Sequence, residues 1–238
     1  MPVIATASSK GGAGKTTTTL QLALALAKSA PTAIIDADPN KPVQDFKDKT
    51  KHMPADLTVI SEGVDEDTIA DIIEDAASKY TFVLVDLEGT AAKIVVMAIG
   101  RADFVLIPTQ GSALDAKEAV KTLRMIRQHE NSMRRHVPGY VLPHALVMTR
   151  TNPVIRTRNT KDIEQDFLDV GVQIFRTELH EREAFKSSMR FNEPLEHLDP
   201  ALVSNIDKAI ANVQDLAAEL VEALRGNFNG KTLQEKAA

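Results

Sequence analysis

The segment Lys10-Gly11-Gly12-Ala13-Gly14-Lys15-Thr16-Thr17 limits what this chain can fold into more than any other stretch of its 238 residues. An apolar run at 3–7 leads into it, and a stretch of helical period at 16–28 follows it. Glycines at 11, 12 and 14 let backbone N–H groups converge on one point without side chains intruding, and the helix start behind them adds its positive end. Such a cradle suits a group with several negative oxygens, as in a nucleoside triphosphate. The residues that close the segment fit the same chemistry, with Lys15 reaching the terminal phosphates and the Thr16 hydroxyl ligating Mg²⁺. A glycine turn of purely structural use does not need Gly-Lys-Thr at the head of a helix.

Short apolar runs alternate with longer helical segments through the rest of the chain. The runs lie at 3–7, 32–35, 57–60, 82–85, 104–107, 141–148 and 172–175. Rich in Val and Ile and almost continuously apolar, they read as strands buried on both faces. Helical period marks 16–28, 64–79, 91–100, 113–130, 158–170 and 201–225. In the last, a stripe through Leu202, Ile206, Val213, Leu220 and Leu224 predicts packing on the sheet. This alternation implies right-handed crossovers, and hence an α/β fold: a single-domain P-loop NTPase with a mostly parallel twisted sheet flanked by helices. The domain is expected over 1–226, with a frayed polar tail over 227–238.

Two of the runs lead into acids. Asp36 and Asp38 follow Ala33-Ile34-Ile35, and Asp86 follows Phe82-Val83-Leu84-Val85. Ligands of open α/β sheets sit beyond the carboxyl ends of strands, which places all three carboxylates beside the phosphate loop. Phosphoryl transfer needs charge neutralisation and a positioned nucleophile more than covalent chemistry. Asp86 has the setting of a carboxylate that holds Mg²⁺ directly or through water. Asp36 and Asp38 share the same rim, one suited to the metal shell and one to orienting water. A single Asp after a strand is commonly a turn former; three beside such a loop point to function.

Composition narrows the field. Cysteine is absent, which removes disulfides, thiolate catalysis and Cys-ligated zinc or iron–sulfur clusters. No run approaches the ~18 apolar residues of a membrane span. The first nine residues lack the features of a signal peptide, so a cytoplasmic protein is expected. The formal charge of −5 is unevenly spread: residues 134–190 hold ten Lys/Arg against seven Asp/Glu, whereas 53–78 hold eight acids and no basic residue. Nucleic acid responds to such a local field. Arg182, Lys186 and Arg190 recur at intervals of four and share one face if helical, and Arg156 and Arg158 extend that surface. The plain alternative is a solvated face paired with Glu178, Glu181 and Glu183.

On these residues the chain resembles the ParA/MinD family of deviant-Walker ATPases, which position plasmids, chromosomes and other cargo in bacteria. The resemblance is carried by the extra Lys10 ahead of the glycines and by Asp36-Ala37-Asp38-Pro39-Asn40, similar to the family's switch I. The stretch ending Asp86-Leu87-Glu88-Gly89 resembles its Walker B and switch II, and 102–120 its fifth strand and following helix. The resemblance implies ATP and Mg²⁺ as cofactors and an ATP-dependent sandwich homodimer in which Lys10 crosses to the other copy's nucleotide. Gly11, Gly12, Ala13, Gly14, Lys15, Thr16 and Thr17 then cradle the phosphates, Asp38 orients the hydrolytic water, and Asp86 serves the metal through water. Two positions depart from the pattern. Ser9 stands where the general loop has a glycine, and Leu87-Glu88-Gly89 where many members carry a proline. The loop begins ten residues in, so the chain is expected among short members without an operator-binding domain.

The function this implies is a slow, partner-stimulated partition ATPase. Its ATP-bound dimer coats nonspecific DNA and is nucleoid-associated, and a small adaptor or centromere-binding protein triggers hydrolysis and release. An accessory ATPase for conjugative or virulence DNA transfer, of the VirC type, is the second reading. A MinD-like membrane switch needs a basic amphipathic C-terminal helix, and 226–238 has no continuous apolar face, so no membrane partner is expected.

Overall fold

Seven parallel strands form the centre of the computed structural model, which describes residues 1–89 and 93–231. They are β1 (Val3–Thr6), β2 (Thr32–Asp36), β3 (Leu57–Ile60), β4 (Phe82–Asp86), β5 (Phe104–Thr109), β6 (His144–Thr151) and β7 (Leu179–His180). Across the sheet the order is β3-β2-β4-β1-β5-β6-β7. The chain winds outward from β1 to β3, returns with β4, and then builds β5 to β7 on the other side. β1 is therefore central, and the crevice beyond its carboxyl end lies where the winding reverses.

Side chains alternate between two layers, as the pleat requires. Ile4, Ile34 and Leu84 enter one core with α1 (Lys15–Leu26), α2 (Pro42–Lys49), α7 (Glu183–Phe191) and α8 (Ile206–Leu224). Ala5, Ile35 and Val85 enter the other with α3 (Ile69–Lys79), α4 (Lys93–Ile99), α5 (Ala113–Met133) and α6 (Arg158–Asp169). Both faces of the sheet are thus covered, which explains runs that read apolar without alternation. The α/β single-domain expectation holds.

Several elements differ from the sequence reading. Val172, Ile174 and Phe175 of the run 172–175 are buried, with Gln173 exposed, but the run makes only an isolated bridge, Leu146 to Ile174. Its ladder stops because the next two N–H groups, of Arg176 and Thr177, donate to the Glu219 carboxylate on α8, each at 2.8 Å. The seventh strand forms later, at Leu179–His180. β6 begins at His144 rather than 141, since Val141 is exposed and Pro143 has no N–H to donate. α8 begins at Ile206, after Asn205 in the left-handed region (φ 57°), and leaves Leu202 exposed instead of in the stripe. α3 begins at Ile69 because Asp65 Oδ1 accepts the N–H groups of Asp67 and Thr68 and closes a turn there. Residues 91 and 92 of the expected fourth helix lie outside the described residues.

Residues 227–231 lie against the body rather than fraying. The Phe228 ring meets Phe175 edge-on, with centroids 5.1 Å apart. The Lys231 ammonium lies 2.9 Å from Glu164 and 2.6 Å from Glu178, two buried carboxylates that also pair with Arg156. Residues 232–238 of the expected tail fall outside the described chain.

Candidate nucleotide-binding site

The phosphate loop rises from β1 and turns into α1 through two glycines in the left-handed region, Gly12 (φ 76°) and Gly14 (φ 96°). A side chain at either would be strained. Lys15 opens α1 and is 7% exposed; its Nζ donates to the Lys10 carbonyl at 3.1 Å, folding the side chain back over the loop. Burial lowers the Lys15 pKa, while the carboxylates of Asp86, Asp38 and Glu88 oppose that shift. The loop is braced from outside. Thr149 Oγ1 donates to the Ala13 carbonyl and Gln110 Nε2 to the Gly12 carbonyl, each at 2.8 Å. Gly89 approaches so closely that a Cβ there would lie 2.8 Å from the Gly11 nitrogen, so no side chain fits between the two segments.

Asp36 and Asp86 are register partners at the ends of β2 and β4, and both are fully buried. Asp36 Oδ2 accepts the N–H groups of Val43 and Gln44 at 2.9 Å, anchoring the first turn of α2. Asp86 Oδ1 accepts the Thr19 hydroxyl at 3.4 Å. The remaining oxygens, Asp36 Oδ1 and Asp86 Oδ2, are buried and find no partner among the described residues. Burial pushes the Asp86 pKa up to about 7, against the Thr16 hydroxyl, which favours the charged form. Burial also raises Asp36, with the Gln44 and Val43 N–H groups opposing. Unpaired buried carboxylate oxygens are costly, and a hydrated divalent cation would satisfy both. The donor set therefore fits Mg²⁺, which the Thr16 hydroxyl and the Asp86 and Asp36 carboxylates would hold.

Asp38 is half-buried; its Oδ1 accepts the backbone N–H of Asn40 at 2.8 Å and its amide at 3.0 Å. With Gly12, Lys15, Thr16 and Glu88 it lines a cavity of about 420 Å³. A second cavity of about 230 Å³ shares Gly14, Thr17 and Arg150 with the first and continues between Leu179, Phe185 and Met189. One groove results, polar at the loop and mixed beneath α7, where Leu179, Phe185 and Met189 stand beside Arg150, His180 and Arg182. Arg150, at the hinge between its arms, holds φ 53°, unusual for a residue with a Cβ.

Of the expected site residues, Gly11, Gly12, Gly14, Lys15, Thr16, Thr17 and Asp38 line this groove, whereas Lys10, Ala13 and the fully buried Asp36 and Asp86 do not. Lys10 is turned inward: its Nζ lies 2.7 Å from Oδ1 of Asp115, a 3% exposed residue in the first turn of α5. Sequence reasoning missed Asp115 and Gln110, left Thr149 and Arg150 unassigned, and assigned Arg182 to a DNA-facing helix face rather than to this groove. The available signal was their position near the carboxyl ends of β5 and β6, Gln110 just past β5, Asp115 in the first turn of the following helix, and Thr149 and Arg150 in the last residues of β6.

The basic residues are divided. Arg182 is extended (φ −132°, ψ 143°) at the N-cap of α7, so it does not share the helix face of Lys186 and Arg190. The cause is upstream: the Glu181 N–H still bonds the Thr151 carbonyl, so the chain leaves the sheet too late for residue 182 to be helical. Arg182 instead lines the arm beneath α7, with a buried Nε that finds no partner among the described residues. Lys186 and Arg190 are exposed, with Lys186 paired to Glu181 at 2.8 Å. Arg158 is also exposed, whereas Arg156 is held between Glu164 and Glu178.

Comparison with known proteins agrees with this arrangement. The chain matches the VirC1 protein family over residues 1–226. It is 36% identical over 230 residues to Protein ParA of Rhizobium radiobacter, covering 94% of this chain and 100% of that one. It is 27% identical over 188 residues to Maintenance of carboxysome distribution protein A of Halothiobacillus neapolitanus, covering 78% and 82% respectively. Among solved structures, an ATP complex of McdA from Cyanothece superposes with a TM-score of 0.69 at 18% identity, covering 95% of this chain and 96% of that one, a likeness of fold. From residue 1 to 226, then, this chain belongs to the VirC1 family, one of the ParA/MinD-type ATPase families.

Proposed function

We propose that the protein is a Mg²⁺-dependent ATPase of the partition or positioning kind, whose ATP-bound dimer binds nonspecific DNA and whose hydrolysis is slow until a partner protein stimulates it. The observation that carries this reading is the pair of buried carboxylate oxygens, on Asp36 and Asp86, that find no partner among the described residues, beside a glycine loop whose buried Lys15 feels the Asp86 charge.

In this reading the triphosphate enters the larger arm of the groove and the base the arm beneath α7. N–H groups of residues 11–16 and the Lys15 ammonium bind its oxygens. Thr16 and Asp86 hold Mg²⁺, Asp86 through water, with Asp36 fixing the metal's surroundings. The metal, when bound, draws charge from the phosphate oxygens. Asp38, already oriented by Asn40, positions the attacking water, and Gly89 reports the state of the loop to the segment after β4. Lys10 leaves Asp115 and reaches the nucleotide of a second copy, so that ATP makes the dimer. The ParA relative and the carboxysome-distribution relative support the positioning of a cargo. The VirC1 match favours, as the second reading, an accessory ATPase in DNA transfer.

Lys15→Ala is the direct test. It should abolish Mg²⁺-ATP binding in a fluorescent-nucleotide titration, and unchanged affinity together with unchanged turnover would sink the assignment.

A further inference from the structure

α5 works on two sides. Its inner side meets the phosphate loop, where Asp115 holds Lys10 and the Thr122 hydroxyl lies 3.4 Å from that of Ser9. Its outer side forms, with α6, a groove of about 610 Å³ that is separate from the nucleotide site. The floor is apolar: Leu123, Ile163, Phe167 and Val172 are nearly buried, while Val120 and Val170, 38% and 65% exposed, stand open at its walls. Along the α5 rim runs a row of cations, Lys117, Lys121, Arg124 and Arg127. At 1.5 Å per residue the row spans about 15 Å. Lys121 pairs with Glu118 at 2.7 Å, and Asp166 is the one acid on the groove's lining.

An apolar strip beside a rim of one charge sign is half of an interface. The missing half must bring an apolar stripe to cover the floor and carboxylates to meet the rim. A helix carries both at i, i+3, i+4 and i+7, and three turns of it match the length of the row. Apolar contact then supplies affinity, while the charges set approach and orientation. A nucleic acid backbone would use the cations but leave the sunken floor uncovered.

We propose that the α5–α6 groove docks an amphipathic helix of a partner protein, with acidic residues flanking its apolar stripe. The occupant bears on the same helix turns that hold Asp115 and Thr122, so docking is mechanically linked to Lys10. That link rests on the partner-stimulated ATPase reading; the docking itself does not, and it is measured without nucleotide so that the two can fail separately.

The probe is a fluorescein-labelled 15-residue synthetic peptide with leucines at i, i+3, i+4 and i+7 and glutamates beside them, titrated by fluorescence polarisation. It should bind with Kd on the order of 10–100 µM. The pair Lys117→Glu and Arg124→Glu, both exposed positions, should weaken binding about tenfold or more, and Val120→Asp should do likewise. A scrambled peptide of the same composition should not bind. No binding of the ordered peptide, equal binding of the scrambled one, or full affinity in both groove variants overturns the proposal. So does a DNA duplex whose binding falls in the charge-reversed variant while peptide binding is unchanged, which would reassign the rim to nucleic acid.

Discussion

Replacing Asp86 with Asn asks whether the nucleotide-free site carries an electrostatic cost. Asp86 is fully buried with one oxygen that finds no partner among the described residues, and burial pushes its pKa from an ordinary 3.8 to about 7. A raised pKa means that the folded protein prefers the protonated acid. The stability this group contributes is therefore complete below about pH 4 and is lost as pH rises through 7. At about 1.4 kcal/mol per unit, a rise of roughly three units sets an upper figure of about 4 kcal/mol. Asn keeps the shape, and its carbonyl oxygen can still accept the Thr19 hydroxyl, but it carries no charge. The variant's advantage over the parent should grow by about 2–3 kcal/mol between pH 4.5 and pH 8.5. Urea unfolding without Mg²⁺ or nucleotide, followed by circular dichroism, measures the difference, in which groups common to both proteins cancel. A difference that stays flat with pH, or a variant less stable than its parent at pH 8.5, refutes the reasoning. In the same variant ATP turnover should collapse, since what stabilises the empty site disables the loaded one.

Three further outcomes follow from the same geometry. Lys10→Ala should remain monomeric with ATP in light scattering, while Asp38→Ala should bind ATP, hydrolyse it poorly and accumulate dimer; an unchanged dimer in Lys10→Ala removes the cross-subunit role. Lys231→Ala leaves the buried Glu164 and Glu178 with Arg156 as their one paired cation among the described residues, and should cost about 2–4 kcal/mol in urea unfolding; a loss below about 0.5 kcal/mol would show that this ion pair contributes little to the fold. Changing the exposed Arg158, Lys186 and Arg190 together to Ala should weaken binding to all DNA sequences alike and flatten its salt dependence, given a slope of roughly −0.9 per phosphate neutralised. Full, equally salt-sensitive binding would clear this region of any role with DNA.

The parts of the site that could be read in the sequence are those whose chemistry is local. The loop's glycines, Lys15 and Thr16 are contiguous, and Asp36 and Asp86 each close an apolar run, so strand ends and a parallel sheet suffice to bring them together. Asp115 could not be found that way. It lies 105 residues from Lys10, and only the neighbouring positions of β1 and β5 join them. Arg150 and Arg182 enter through β6 and β7, the strands whose limits were hardest to read. α2 was invisible for another reason. Over eight residues it buries only Val43 and Phe46, too few to show a period, and it owes its start to Pro42 and to the Asp36 carboxylate. The run 172–175 misled because burial and strand pairing are separate properties: it is core by composition, but Glu219 takes the donors that would have extended it.

The tail at 227–231 also bears on how this protein avoids its own kind. Gln173 and Phe175 turn their backbone groups toward Leu146, so those of Ile174 face outward from the sheet. The Lys231 N–H occupies the Ile174 carbonyl at 2.8 Å, and Gly230 lies so close that a Cβ there would come within 2.4 Å of that oxygen. The chain's end is thus a built-in edge guard, filling a ladder position that a strand of another molecule could otherwise claim. A shortened protein that lost this guard would keep its nucleotide chemistry yet become sticky, an aggregation defect that an activity assay on fresh material would not reveal.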